Sequence, residues 1–278
     1  MKKIFIIISL IFLFIGLSSS SKAQNVSREQ FSQIFAEYMR KYDEYVISHE
    51  KYVLSKIQYE SFNTLSSKEN IQRDTKDMLY KREEVLIYYL RSLISKLDDS
   101  SLSIPQEDKE SYVNQFNSEI DWLNEHRSTY KVTDSPEILS EKSEVVDTRF
   151  KVLTPVIYKC LYHISKGKVV RYDERYDSLY NDLITLTERI KIEQRDAYKL
   201  SESKIEIIDR WFGEIGAKDE EYQKFIDDGD KNLLKISERT AYSTYKASIR
   251  ILTDAKNVML KKISYMKEIV KEIKISEY

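Results

Sequence analysis

Glycine and proline are scarce in this chain, at five and three residues among 278, where average usage is about seven and five per cent. Tight turns, hairpins and barrel corners draw on both, and dinucleotide-binding loops need glycine in particular. Their scarcity excludes most all-β and Rossmann-type architectures and leaves long helices joined by few loops. Cysteine is rarer still. Cys160 stands alone, so no intrachain disulfide can form in any compartment. Histidine occurs only at positions 49, 126 and 163. None sits in an HExxH pattern, and none has the glutamate three residues ahead that di-iron bundles use, so no metal or cofactor is expected. Net charge is nearly absent as well, with 45 basic and 46 acidic residues. Lys2, Lys3 and Lys22 fall among the first 23 residues, so the remainder carries a small acidic excess. That balance supplies no global field for nucleic acid, and nucleic acid is not expected as a partner.

Long apolar runs are missing too, with one exception. Residues 4–17 carry no charge, follow Lys2 and Lys3, and lead through a serine cluster to Ser21 and Ala23. That order predicts a secretory signal peptide over residues 1–23, cut before Gln24. The rival reading is an uncleaved anchor, but the run is short of the roughly twenty residues a spanning helix needs. The expectation is an extracytoplasmic protein, whether secreted, periplasmic or on the cell surface, without stable membrane insertion after cleavage.

What the chain does contain is helical periodicity. Over residues 26–62, Phe35, Tyr38, Tyr42, Tyr45, His49, Tyr52, Lys56 and Tyr59 alternate steps of three and four, with Met39, Val46 and Val53 widening the stripe. Ser66 and Glu69 have capping-box spacing for a second helix reaching Leu97, with Leu86, Tyr89, Leu90, Leu93 and Leu97 inward. A linker at 98–105 ends in Pro105, fit for the first turn of a helix running to about Tyr130. Ser135 and Pro136 predict the next start, as cap and first helical residue. This helix should kink at Pro155 and end near Lys166, with Gly167 at the left-handed position beyond. Helix resumes from Lys168, with a further start possible at Ser201, and stops at Gly213 and Gly216. Residues 219–225 read as a short helix and residues 227–230 as a solvated turn, whose aspartates lack the alternation and closing glutamate of a calcium loop. The last helix carries the cleanest stripe: Tyr242, Tyr245, Ile249, Leu252, Lys256, Met259, Ile263, Met266, Val270 and Ile273.

Catalytic constellations are few. Cys160 and His163 share a helical face, but no third group orients them, and a buried structural thiol explains the pattern better. Acidic pairs such as Glu83 and Glu84, or Glu220 and Glu221, lie among lysines and arginines and read as solvated faces. Tyrosine is in excess, at 21 residues. Tyr38, Tyr42, Tyr45, Tyr52 and Tyr59 form either an interaction surface for glycans or peptides or, as their regular spacing favours, a core stripe.

Tyr42-Asp-Glu-Tyr45, His49-Glu-Lys-Tyr52, the stretch from Thr64 to Glu69 and that from Thr75 to Leu90 carry a likeness. Across residues 38–97 the chain resembles a group of uncharacterised, signal-bearing, all-helical proteins of ultrasmall candidate-phyla bacteria. The resemblance implies a secreted bacterial helical protein and brings no activity or site residues with it.

The expected fold is all-α: an elongated antiparallel helical bundle, coiled-coil-like, of about six or seven helices. Beyond the signal peptide it divides into an N-terminal helical hairpin (24–100), a middle helical segment (101–216) and C-terminal helices packing back on the bundle (217–278). The expected function is a non-enzymatic scaffold or protein-interaction protein, partnered by helices of another protein or by its own copies. The alternative is a ligand-binding module with a Tyr-lined cleft for a glycan or peptide.

Overall fold

The structure is a computed structural model that describes residues 22–193 and 200–274, with side chains from residue 29 onward. The signal-like segment at residues 1–21 lies outside the described residues. Six helices and no strand make up the described part: α1 (Lys22–Phe62), α2 (Leu65–Leu97), α3 (Gln106–Ser128), α4 (Pro136–Glu193), α5 (Glu202–Leu233) and α6 (Ala241–Lys274).

α1 and α2 form the expected hairpin. Asn63 turns the chain with φ of 46°, a left-handed conformation asparagine tolerates. Thr64, in extended conformation, then caps α2: its side chain accepts from the Ser67 amide, and the Ser67 hydroxyl accepts from the Thr64 amide. The capping box is therefore Thr64–Ser67, two residues ahead of the expected Ser66–Glu69, because Asn63 turns the chain directly after Phe62 and leaves Thr64 to start the next helix. Pro105 stands at the N-cap of α3, one position before the first turn. Ser135 and Pro136 take the cap and first-residue positions anticipated for α4, and Ser201 caps α5 by accepting from the Lys204 amide.

Two expected breaks are absent. α4 runs 58 residues through both Pro155 and Gly167, a rise of about 87 Å if straight. Gly167 has no positive φ. It is small for another reason: a Cβ there would stand 2.8 Å from Ile104 Cγ1 and 3.1 Å from the Ser103 carbonyl oxygen, and the Ser103 amide donates to the Gly167 carbonyl at 3.0 Å. The glycine admits the 98–105 linker to the helix surface instead of ending the helix.

Likewise α5 continues through Gly213, Gly216 and residues 227–230, so helix spans the expected boundary at 216. Gly229 lies against Tyr162, whose hydroxyl would be 2.5 Å from an added Cβ. That hydroxyl donates to Asp230, which also pairs with Lys166 at 2.6 Å. The expected solvated turn is an α4–α5 contact.

α4 is the spine. Its N-terminal half packs with α2 and α3 around Leu90, Phe116, Leu153, Cys160 and Leu161. Its C-terminal half packs with α5 and α6 around Tyr176, Leu183, Ile208, Ile215 and Ile269. α1 lies outside α2, with Tyr38 and Tyr45 buried against Met78, Leu79 and Val85. α6 follows the direction of α4: Tyr245 meets Tyr158, Lys262 meets Asp173, and Ile269 meets Tyr176. None of the described helices is long and apolar enough to cross a membrane.

Candidate binding trough

Two polar clusters lie inside the bundle. Glu83 of α2 is fully buried, accepting from the Tyr130 hydroxyl and lying 3.1 Å from His126 Nδ1. Burial raises its carboxyl above the usual range, against the opposing bonds from Tyr130 and His126. Lys262 of α6 is 1% exposed. Its ammonium sits 3.1 Å from Asp173 of α4 and 2.5 Å from Asp219 of α5, and over the Tyr176 and Tyr222 rings at 4.2 and 5.2 Å. Burial opposes its charge, but the two aspartates outweigh burial and hold the ammonium above its ordinary value. Each cluster ties helices together. Neither holds a nucleophile beside a base in an open cleft.

The Cys160–His163 pair has no catalytic geometry. Cys160 is wholly buried, and burial pushes its thiol far up, so the thiolate a nucleophile requires is not populated. His163 instead faces the Tyr112 hydroxyl at 3.5 Å and Asp108 at 3.7 Å. Among the described residues no group of three or more His, Cys, Asp or Glu side chains could hold a metal ion.

The five tyrosines of the α1 stripe have separate fates. Tyr38 and Tyr45 are buried, and Tyr42 and Tyr52 are half-buried against the same cluster. Tyr59 is half-buried near the end of α1. The expected stripe faces inward apart from Lys56, and the residues that widen it differ. Ser48 and Ser55 are buried, whereas Lys56, Met39 and Val53 are exposed. Ser55 donates to Asp74 of α2, so the inward face takes in the serines beside the aromatic stripe.

The last stripe behaves differently. Leu252, Met259 and Ile269 are buried, but Ile249, Ile263, Met266, Val270 and Ile273 are half-buried and Tyr242 is 40% exposed. α6 turns its buried side to α4 and α5 and the rest of its apolar face into an open trough of about 1950 Å³. The trough lies between α4 and α6, and its lining comes from α1, α2, α4 and α6. Leu252, Met259, Ile263, Met266 and Val270 form the α6 wall; Leu161, Ile164, Val169 and Leu179 form the α4 wall. Phe31, Phe35 and Tyr38 of α1, with Tyr89 of α2, also border it. From Tyr242 to Lys274 it follows α6 for about 48 Å.

The charge around this trough is one-sided. α2 and α4 contribute Lys96, Lys168 and Arg175, and α6 contributes Lys246, Arg250, Lys256, Lys267, Lys271 and Lys274. Asp254 is the sole acidic residue in the lining. Burial, with the nearby Lys96, holds the Lys168 ammonium below its ordinary value, while Asp99 opposes the shift. A chain of nearly balanced composition thus gathers nine cations against one anion on one apolar surface.

The sequence reading missed this feature. A signal existed: Lys246 and Arg250, and again Lys267 and Lys271, recur at four-residue spacing beside the apolar stripe, the pattern of a basic amphipathic helix. Comparison with protein-family models, curated proteins and solved structures finds no match for the chain.

Proposed function

We propose that the protein is a non-enzymatic helical scaffold that acts outside the cytoplasmic membrane and binds a protein partner in the α4–α6 trough. The observation that supports this reading is the α6 stripe. A soluble bundle covers its apolar faces, yet about half of this one stays open over the full length of the helix. Placement outside the membrane rests on Lys2, Lys3, the apolar run at residues 4–17 and the small residues at 21 and 23.

The test is site-specific photo-crosslinking on living cells. A photoreactive residue at Met266, in the trough, captures a discrete protein. The same residue at exposed Glu220 of α5, outside the lining, does not. Capture of neither protein nor copies of the chain, with the pure protein binding a cell-wall glycan instead, ends this reading.

One observation favours a second reading. Tyr38, Tyr89, Tyr172, Tyr176, Tyr242 and Tyr245 all border the trough, so a ligand-binding role for a glycan or peptide has a tyrosine-lined cleft, though of the five α1 tyrosines it includes only Tyr38. Aliphatic residues dominate the rest of the floor, which is why a protein helix is preferred.

A further inference from the structure

The scaffold reading leaves the partner's chemistry open, and the trough narrows it. An α-helix buried along one side needs an apolar floor in which its i, i+3, i+4 and i+7 side chains find room, and the facing half of α6 presents that repeat. The C-terminal half of the bundle is a three-helix array of α4, α5 and α6, with α5 on one side of the α4–α6 pair. Among the described residues the trough side of the α4–α6 pair is left open.

We propose that the trough binds an acidic amphipathic helix from a partner protein, its apolar side chains on the α4–α6 floor and its carboxylates against the rim lysines and arginines. This rests on the scaffold reading and specifies its partner.

Charge complementarity selects this occupant over the alternatives. A second copy docked through the same face would bring two sets of nine cations together. The chain's own apolar segment at residues 4–17 is preceded by Lys2 and Lys3, and residues 1–23 contain no acid, so it cannot answer the rim. An anionic bilayer answers the charge, but a flat surface does not reach a floor recessed between two helices. Nucleic acid also answers the charge. Tyr172 and Tyr242 border the trough with exposed rings, but the α6 wall of Leu252, Met259, Ile263, Met266 and Val270 is aliphatic and gives a run of bases nothing to stack on.

The cations are placed to act on a bound helix. Lys246, Arg250, Lys267, Lys271 and Lys274 are exposed at the α6 edge while the apolar residues sit lower. Lys246, Arg250 and Lys267 make no ion pair among the described residues, so their charge is directed outward; Lys271 pairs with Glu268 at 2.6 Å. Such an edge steers an acidic partner and fixes its orientation, and the apolar floor supplies the burial.

The test uses the protein lacking residues 1–23 and a fluorescein-labelled peptide of about 25 residues, with leucines on one helical face and glutamates elsewhere. Two controls keep the leucine count: a sister peptide with lysine in place of every glutamate, and a scrambled acidic peptide without a continuous apolar face. By fluorescence anisotropy the acidic amphipathic peptide binds, and both controls bind at least tenfold more weakly. The triple variant Arg250→Glu, Lys267→Glu, Lys271→Glu lowers affinity about tenfold or more while costing little thermal stability, since all three residues are exposed and only the surface Lys271–Glu268 pair is lost. Met266→Glu lowers it similarly through the floor. Equal binding of the acidic and lysine peptides, or no peptide binding, overturns the proposal. So does tighter binding of phosphatidylglycerol vesicles or of a single-stranded oligonucleotide that the triple variant abolishes. If Met266 still captures a protein on cells while the acidic peptide fails, the scaffold reading stands and the acidic-helix inference falls.

Discussion

Lys262 allows the packing of the C-terminal half to be tested by one substitution. Replacing it with methionine keeps most of the volume and removes the charge that three helices share. Asp173 and Asp219 then face each other without a cation. Removing one partner of a buried ion pair costs about 3–5 kcal/mol. The Asp219 side chain is 45% exposed and can turn to water, whereas that of Asp173 is 19% exposed and cannot turn as freely, so the lower part of that range applies. The lost cation–π contacts with Tyr176 and Tyr222 add about 0.5–1 kcal/mol each, partly offset by methionine packing on the same rings. The net expectation is about 2–4 kcal/mol. At about 2–4 °C per kcal/mol for a chain of this size, Tm falls by roughly 5–15 °C. The assay is thermal unfolding at pH 7, followed by circular dichroism at 222 nm and by calorimetry. Adding Asp173→Asn to Lys262→Met should recover part of the loss, because the stranded carboxylate carries most of the penalty. A Tm within about 1 °C of the unaltered protein, or a double variant less stable than the single one, refutes the reasoning that this charge triad locks α4, α5 and α6 in register.

Three further outcomes follow from the packing and the sequence. Glu83→Gln keeps an acceptor for Tyr130 and removes a buried charge; because burial raises the folded carboxyl, the native protein loses stability as pH rises from about 4.3 through that raised value. Urea unfolding from pH 4 to 8 should therefore show the variant gaining on the parent as pH rises, and a gap that narrows would contradict it. Gly229→Ala presses a methyl group onto the Tyr162 hydroxyl and should cost about 1–3 kcal/mol, while Gly213→Ala and Gly216→Ala meet nothing within 4 Å and should each stabilise by about 0.5–1 kcal/mol; chemical denaturation of the three variants checks the contrast. Intact mass of protein recovered from cells should begin at Gln24, and a membrane-embedded species retaining Met1 would establish the anchor instead.

The helices and most of their ends were legible because the forces that set them are local. Three-and-four periodicity, serine caps and Pro136 act within a turn or two of the backbone, and they define the start of α4 and of α5 without reference to the rest of the chain. Gly167, Gly216 and Gly229 misled for the complementary reason. Glycine signals a helix end through its own backbone freedom, but at 167 and 229 it is there for a neighbour, Ile104 and Tyr162, distant in sequence. The stripes posed the same problem. Tyr38 to Tyr59 and Tyr242 to Ile273 look alike as sequence, and periodicity says only that one face is apolar, not what covers it. Packing made the difference: α2 lies over much of the first, around Tyr38 and Tyr45, while α4 and α5 bury only one side of the second. The trough exists because α4 runs unbroken past residue 167 and carries Lys168, Val169, Arg175 and Leu179 alongside α6. Composition fixes how many charges a chain has; only the fold, by bringing helices distant in sequence side by side, decides that nine cations meet on one apolar surface.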